Sequence, residues 1–218
     1  MDTRGLLDQL LKSGQSVLQQ NTKDGGGFLS GAAGGALAAG ALSLLLGNKS
    51  ARKLGGKVIT YGGLAALGVL AYKAYGNWRE QQNMTNQNEP QTLDRLPQQQ
   101  AEEHSRAVLK ALVAAAKADG HVDARERQLL QEQLGQLAGD AELQDWLRLE
   151  LDKPLDPAEL ALAARTPEMA AEMYLASVLM VDEQNFMERA YLDELSRQLR
   201  LDPGLKTELE VQVREQQV

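Results

Sequence analysis

The strongest hydrophobic pattern in the chain is a run of twenty uncharged residues from Phe28 to Gly47, FLSGAAGGALAAGALSLLLG. A helix rises about 1.5 Å per residue, so this run matches a bilayer hydrocarbon core of about 30 Å. A second run, from Val58 to Tyr75, is apolar apart from Lys73. Together the two runs predict a transmembrane helical hairpin. The alternative is a single span followed by a second helix that lies on the membrane surface.

Small residues recur at intervals of four in both runs. Gly31, Gly35 and Ala39 follow this spacing in the first run, and Gly62 and Ala66 follow it in the second. The spacing places the small side chains on one helix face, where the backbone of another helix can approach closely. The pattern therefore predicts helix packing in the membrane, either between two spans of one chain or between the copies of a homo-oligomer.

The connection between the two runs is basic, and its four positive charges are Lys49, Arg52, Lys53 and Lys57. The positive-inside rule would place such a loop in the cytoplasm. Basic residues also lie before the first run and after the second, so the bias is small. The sequence therefore leaves open on which side of the membrane the C-terminal half lies.

Two polar segments flank the membrane region of residues 28–78. Residues 1–27 contain LLDQLLKSGQSVLQQ, whose apolar residues fall mostly on one helical face, and then DGGG. They predict an amphipathic helix, lying on the membrane or docked on a partner or a core, and a glycine linker. Residues 79–100 are rich in Gln and Asn and contain two prolines. This composition predicts a flexible linker that holds the C-terminal domain clear of the membrane.

Residues 101–218 predict a separate all-α domain of about seven helices, because no segment alternates with a period of two. Asp156, Thr166 and Asp202 each precede a proline. A capping side chain followed by proline is typical of a helix start. The domain also aligns with itself, since ERQLLQEQLGQL from Glu126 matches ERAYLDELSRQL from Glu188. We therefore expect one helical pair to occur twice.

The net charge of −7 is spread unevenly along the chain. Residues 1–100 carry 10 Lys and Arg against 6 Asp and Glu, whereas residues 101–218 carry 13 against 24. The acidic half argues against nucleic acid as a partner, since binding phosphate requires clustered basic side chains. The lack of cysteine excludes disulfides and thiol nucleophiles. Neither His104 nor His121 lies in a catalytic motif, so we expect a non-catalytic protein.

The acidic stretch AAAKADGHVDARERQLL places Asp119, Asp123 and Glu126 between two apolar helical runs. Asp123 and Glu126 have the spacing of a capping box, and Asn185 with Glu188 repeats it. The same carboxylates have the oxygen atoms that hard divalent cations prefer. The stretch does not fit the calcium loop of an EF-hand, because a basic and an apolar residue stand at ligand positions. Capping alone and capping combined with metal binding both remain open.

The stretches around these carboxylates also resemble a known family. An alanine-rich helix leading into KADGHVDARE, followed by MVDEQNFMERAYLDELSRQL, resembles the TerB-like helical domain of tellurite-resistance proteins. With LLDQLLKSG and the Gly/Ala-rich segment, the chain resembles the YebE-like inner-membrane proteins. The resemblance implies a pseudo-duplicated helical fold in the bacterial cytoplasmic membrane and an acidic patch that binds a divalent cation, Ca²⁺ or Mg²⁺. The implied metal residues are Asp119, Asp123, Glu126, Asp182 and Glu188.

These observations leave two hypotheses for function. The first is a membrane-anchored, non-catalytic sensing or adaptor module whose acidic domain responds to divalent metal, in envelope or metal stress. The second is a membrane scaffold that self-associates through its small-residue helix faces, with the acidic domain as a protein-docking surface without metal. Both require the lipid bilayer and an unknown protein partner.

Overall fold

The computed structural model describes residues 2–8, 64–82, 89–118, 141–181 and 185–217, and these residues form helices and no strand. Residues 3–8 form a short helix. The other helices of the described ranges are α1 (Leu64–Gln81), α2 (Gln98–Ala115), α3 (Ala141–Asp152), α4 (Pro157–Ala161), α5 (Pro167–Met180), α6 (Phe186–Gln198) and α7 (Pro203–Gln217). The all-α prediction is confirmed for this part of the chain.

Helix α5 lies at the centre of the fold. Every residue from Met169 to Met180 is buried, because the helix is apolar on all sides and must be surrounded by other elements. Helices α1, α2, α6 and α7 all pack against it. The core formed in this way also includes Leu6, Leu7 and Leu93. It therefore extends across the predicted boundaries at residues 78 and 100.

Three helix starts follow the prediction from capping residues and prolines. Asp156 Oδ1 accepts a hydrogen bond from a backbone amide in the first turn of α4 at 2.9 Å. Thr166 Oγ1 does the same for α5 at 3.1 Å, and Asp202 Oδ1 for α7 at 2.8 Å. Each side chain satisfies an amide that has no partner inside its helix. These helix starts are confirmed.

The packing of helix α1 bears on the predicted transmembrane hairpin. The second predicted span, Val58–Tyr75, overlaps α1 from Leu64 onward, and α1 packs against α5 and α7. Its residues Leu67, Leu70, Ala71, Ala74 and Tyr75 are buried. The described part of the second span thus buries one face against protein while Val69 on another side is exposed, and the structure gives no support to a hairpin in the membrane. The same apolar face that suits lipid also suits a helical core.

The remaining membrane predictions fall mostly outside the described residues. The first predicted span, residues 28–47, lies there, as do residues 58–63 of the second. Among the helices that the structure describes, none combines the length and the apolar character that crossing a bilayer requires.

The segment of residues 89–97 packs against α1 and the core, although the sequence assigned it to a linker. Thr92 and Leu93 are 0% and 2% exposed, Pro90 is also buried, and Leu96 packs against the core, so these side chains dock a segment that is otherwise polar. A Cβ atom added at Gly68 of α1 would lie 2.4 Å from Asp94 Oδ1 and 2.8 Å from Asp94 N. Glycine at position 68 therefore permits the close approach of α1 and this segment.

Two glycines of α1 give opposite predictions for substitution by alanine. Gly68→Ala should destabilise the protein by about 1 to 3 kcal/mol, since the backbone of Asp94 must move. Gly76→Ala is the control, because a Cβ atom there meets nothing within 4 Å. It should stabilise the helix by about 0.4 to 1 kcal/mol. Urea unfolding of the purified chain measures both changes in the free energy of unfolding. Equal effects of the two substitutions would contradict the close packing of Gly68 against Asp94.

Candidate functional site

The predicted metal residues are only partly covered by the structure. Asp119, Asp123, Glu126 and Asp182 lie outside the described residues, whereas Glu188 lies in the first turn of α6. Within the described ranges, no three His, Asp or Glu side chains are grouped so as to hold a metal ion. Because the structure describes only one of the five residues, the predicted site as a whole stays a prediction.

The start of α6 shows what Glu188 does in this structure. Asn185 Oδ1 accepts a hydrogen bond from the amide of Met187 at 2.9 Å, and Asn185 Nδ2 donates to Glu188 Oε1 at 3.3 Å. Glu188 is 8% exposed, whereas Phe186 is 75% exposed. Asn185 and Glu188 thus form a helix cap related to the predicted capping box. This geometry supports the capping interpretation for the second copy of the repeat.

The most unusual group in the described structure is the carboxylate of Glu172, on the central helix α5. It is 0% exposed. Glu172 Oε1 accepts a hydrogen bond from the amide of Leu93 at 2.5 Å. Glu172 Oε2 lies 2.8 Å from Nδ1 of His104, which is itself 4% exposed. The carboxylate therefore joins α5, α2 and the segment of residues 89–97.

Sequence reasoning missed this cluster, although a signal was present. Glu172 is the single charged residue between Met169 and Met180, and a charge within a fully apolar helix requires a buried partner. His104 lies on the apolar face of α2. A search for a charge on one buried helix and a histidine on another would have proposed the pair.

Burial raises the pKa of the Glu172 carboxyl above its ordinary value of 4.5, against the opposing effect of hydrogen bonds from His104 and Leu93. The negative charge of Asp94 adds to the rise. Burial raises the pKa of Tyr75 of α1, and the charges of Glu168 and Glu172 add to that rise. Because the pair is closed to solvent, its chemistry is suited to fixing helices in place rather than to reaction with a substrate.

The raised pKa of Glu172 leads to a prediction about pH. A carboxyl that ionises less readily in the folded than in the unfolded chain contributes less stability as pH rises above 4.5. Glu172→Gln cannot ionise, yet its side-chain oxygen can still accept the hydrogen bond from Leu93 and its side-chain nitrogen can donate to the ring of His104. Its free energy of unfolding, relative to the parent chain, should therefore increase between about pH 4.5 and pH 7.

Urea unfolding at a series of pH values measures this trend. Glu103→Gln is the matched control, since Glu103 is a neighbouring exposed carboxylate on α2. We expect no comparable trend for the control. A relative stability of Glu172→Gln that falls as pH rises would show that the buried carboxylate favours folding in its charged form.

A second cluster joins the turn after α2 to the end of α3 by hydrogen bonds, and the end of α3 to α4 by ion pairs. Lys117 Nζ donates to the carbonyl oxygens of Glu150 and Lys153, each at 2.9 Å. Lys153 Nζ lies 2.8 Å from Glu150 Oε1 and 3.2 Å from Glu159 Oε1. The hydrogen bond to Glu150 raises the pKa of Lys153, and the one from Lys153 lowers the pKa of Glu159. Lys117 thus caps the C-terminal end of α3. In the chain, Lys117 itself lies just before Asp119.

Comparison with known proteins shows to which family the chain belongs. The family model of DUF533, described as a protein of unknown function, matches residues 31–213. The chain belongs to the DUF533 family. A relative from Yersinia enterocolitica, described as an uncharacterized protein in the ampR 5' region, is 32% identical over 108 residues, which cover 50% of this chain and 78% of the relative. No solved structure matches this DUF533 chain.

Proposed function

We propose that the protein is a non-catalytic sensing or adaptor module that associates with the bacterial cytoplasmic membrane through residues 28–47. The observation that carries this proposal is the packing of α1 against α5 and α7. Helix α1 follows the Gly/Ala-rich stretch in the chain, and protein contacts hold it in place. A change at the membrane would therefore reach the central helix α5 through packed side chains.

The contacts of α1 favour one membrane segment with the second helix outside the bilayer. Leu67, Leu70 and Ala74 are buried in the helical body. Asn77 Nδ2 and Gln81 Nε2 donate hydrogen bonds to Glu208 of α7 at 3.2 Å and 2.6 Å. A hairpin with both helices in lipid would have to give up these contacts. Residues 28–47, which are uncharged throughout, then supply the contact with lipid.

The alternative role, a self-associating membrane scaffold, depends on the small-residue faces. Ala66, from the stripe in the second run, is 8% exposed and lies inside the helical body. Ala66 is therefore not available to another membrane helix in this fold, and Gly62 lies outside the described residues. Gly31, Gly35 and Ala39 lie outside the described residues. We accordingly place the sensing or adaptor role first, with an unknown protein as the partner of the acidic domain.

The proposal that the protein binds a divalent metal rests on its resemblance to the TerB-like and YebE-like proteins. Glu188 is the one implied ligand that the structure describes, and Asn185 donates to its Oε1 atom. This contact fits a helix cap better than a metal ligand. Asp119, Asp123 and Glu126 carry the remaining oxygen donors of the first copy. We therefore restrict the proposed cation, Ca²⁺ or Mg²⁺, to the acidic stretch that begins at Asp119.

The metal proposal predicts a change in thermal stability. A cation that binds only the folded chain stabilises it by about 2.7 kcal/mol at a hundredfold excess over its Kd. The melting temperature should therefore rise with added Ca²⁺ or Mg²⁺, and Asp119→Asn should abolish the rise. Asp145→Asn, an exposed site on α3, is the control with the same charge change. A rise no larger than that in a monovalent salt of matched ionic strength would leave capping as the explanation.

The membrane proposal predicts different effects of one substitution at two positions. Ala36→Arg places a charge within the uncharged run, at a cost to insertion of about 2.5 to 3.5 kcal/mol. It should shift the full chain from the carbonate-resistant membrane fraction towards the soluble fraction. Val69→Arg places the same charge on the exposed side of α1, where Val69 is 43% exposed. It should leave the fractionation unchanged. Release of the Val69→Arg variant into the soluble fraction would mean that α1 lies in the bilayer.

A further inference from the structure

The lysines of the acidic half of the chain gather at one pocket. Residues 101–218 contain four lysines against 24 acidic residues, and three of the four line a pocket between α2, α3 and α4. Lys110 lies on α2, Lys117 lies in the turn after it, and Lys153 directly follows α3. Two parts of the chain therefore bring three ammonium groups to the same small space.

The pocket already holds one anion, the carboxylate of Glu159 on α4. Its Oε1 atom lies 3.2 Å from Lys153 Nζ and 3.6 Å from Lys110 Nζ. The hydrogen bond from Lys153 lowers the pKa of Glu159, and the charges of Lys153 and Lys110 lower it further. The place that this carboxylate occupies therefore favours a negatively charged group.

The other carboxylates of the pocket are fixed more firmly than Glu159. Glu150 is 7% exposed and lies 2.8 Å from Lys153 Nζ. Asp156 Oδ1 accepts from the amides of Ala158 and Glu159 at the start of α4. The side chain of Glu159 is 42% exposed. Among these three carboxylates, Glu159 is therefore the one that can leave the pocket at the smallest cost in burial and hydrogen bonds.

Glu159 can leave while the backbone around the pocket stays in place. Leu160, the next residue on α4, is 3% exposed and anchors the helix in the core. A change of rotamer is then enough to turn the Glu159 side chain into solvent. The cavity beside the carboxylate has a volume of about 20 Å³, which already admits a group of the size of water. The departure of the carboxylate enlarges this space.

The charge balance of the pocket indicates which anion can replace Glu159. Three lysines and the three carboxylates of Glu150, Asp156 and Glu159 line it, so it carries one excess positive charge when Glu159 turns away. An anion with a single charge gains little over a carboxylate that is tethered beside the site. A phosphomonoester carries a charge of about −1.5 to −2 at neutral pH and three acceptor oxygens. It can accept from two ammonium groups at once.

We propose that the pocket of Lys110, Lys117 and Lys153 binds the phosphomonoester group of a soluble small molecule, and that Glu159 is the internal anion that this group displaces. Lys110 and Lys153 contact the phosphate oxygens. Lys117 keeps the end of α3 in position through the carbonyl oxygens of Glu150 and Lys153. The phosphodiesters of common bilayer lipids carry one negative charge and are excluded by the same balance. The site depends neither on membrane association nor on the cation of the acidic stretch.

Isothermal titration calorimetry of the purified full chain with inorganic phosphate, at constant ionic strength, tests the site. Lys110→Met should weaken binding about tenfold, since one charge-assisted hydrogen bond is lost. Glu159→Gln should strengthen it about tenfold, because the competing charge is removed. Lys206→Met is the matched control: it changes the fourth lysine, which pairs with Asp193 at 2.7 Å outside the pocket. Its affinity for phosphate should equal that of the parent chain.

A second titration identifies the chemical class of the ligand. Dimethyl phosphate is a phosphodiester with one negative charge, as in lipid headgroups, and it should produce no heat of binding. The affinity for inorganic phosphate should increase between about pH 6 and pH 8, because phosphate gains its second negative charge there while the lysines stay protonated. Equal binding of dimethyl phosphate would overturn the choice of a phosphomonoester and indicate a lipid headgroup as the source.

Three results would overturn the site itself. The first is the absence of phosphate binding in the parent chain. Binding by Glu159→Gln alone belongs with this result, since Glu159 would then be a permanent part of the ion-pair cluster. The second is an equal effect of Lys110→Met and Lys206→Met, which would show a general response to charge. The third is a Glu159→Gln affinity no higher than that of the parent, and this result decides even if Lys110→Met fails to fold. All three leave the membrane fractionation, and with it the proposed function, untouched.

Discussion

The described fold depends on satisfying the hydrogen bonds of one buried carboxyl group. An uncompensated carboxylate in a protein interior costs several kcal/mol, and Glu172 is 0% exposed on the central helix. The amide of Leu93 and the ring of His104 supply its hydrogen bonds. Since these partners come from different elements, the carboxylate is satisfied only when the segment of residues 89–97 and α2 both lie against α5. The position of α1 follows, because Gly68 fits closely against Asp94 of that segment.

The hydrogen bonds of Glu172 link helix α1, which follows the Gly/Ala-rich stretch in the sequence, to the core. Helix α1 contacts α5 directly, and it also contacts the segment that donates to Glu172. Any displacement of α1 must therefore either carry that segment along or break a hydrogen bond to a buried carboxylate. Packed interiors shift between discrete arrangements rather than deforming continuously. A body built in this way suits a sensing or adaptor module better than a freely tethered domain does.

Local signals in the sequence predicted the local structure well. Asp156, Thr166 and Asp202 mark helix starts because a cap and the proline after it act within one turn. The placement of α1 could not be read in the same way. An apolar helix face can be buried against lipid or against other helices, and tertiary contacts with α5, α7 and the segment of residues 89–97 decide between them. Trp78, just after the second apolar run, donates to Asp202.

The contacts at the candidate sites also fall into two groups: those that short sequence spacing predicts and those between residues far apart in the chain. Pairing Asn185 with Glu188 was predictable from their spacing, and the structure shows the cap. The attachment of Glu102 to the amides of Thr3 and Arg4 joins residues about a hundred positions apart, and no spacing rule reaches that far. The docking of residues 2–8 on the helical body therefore depends on tertiary contacts, and the apolar character of Leu6 and Leu7 alone does not specify it.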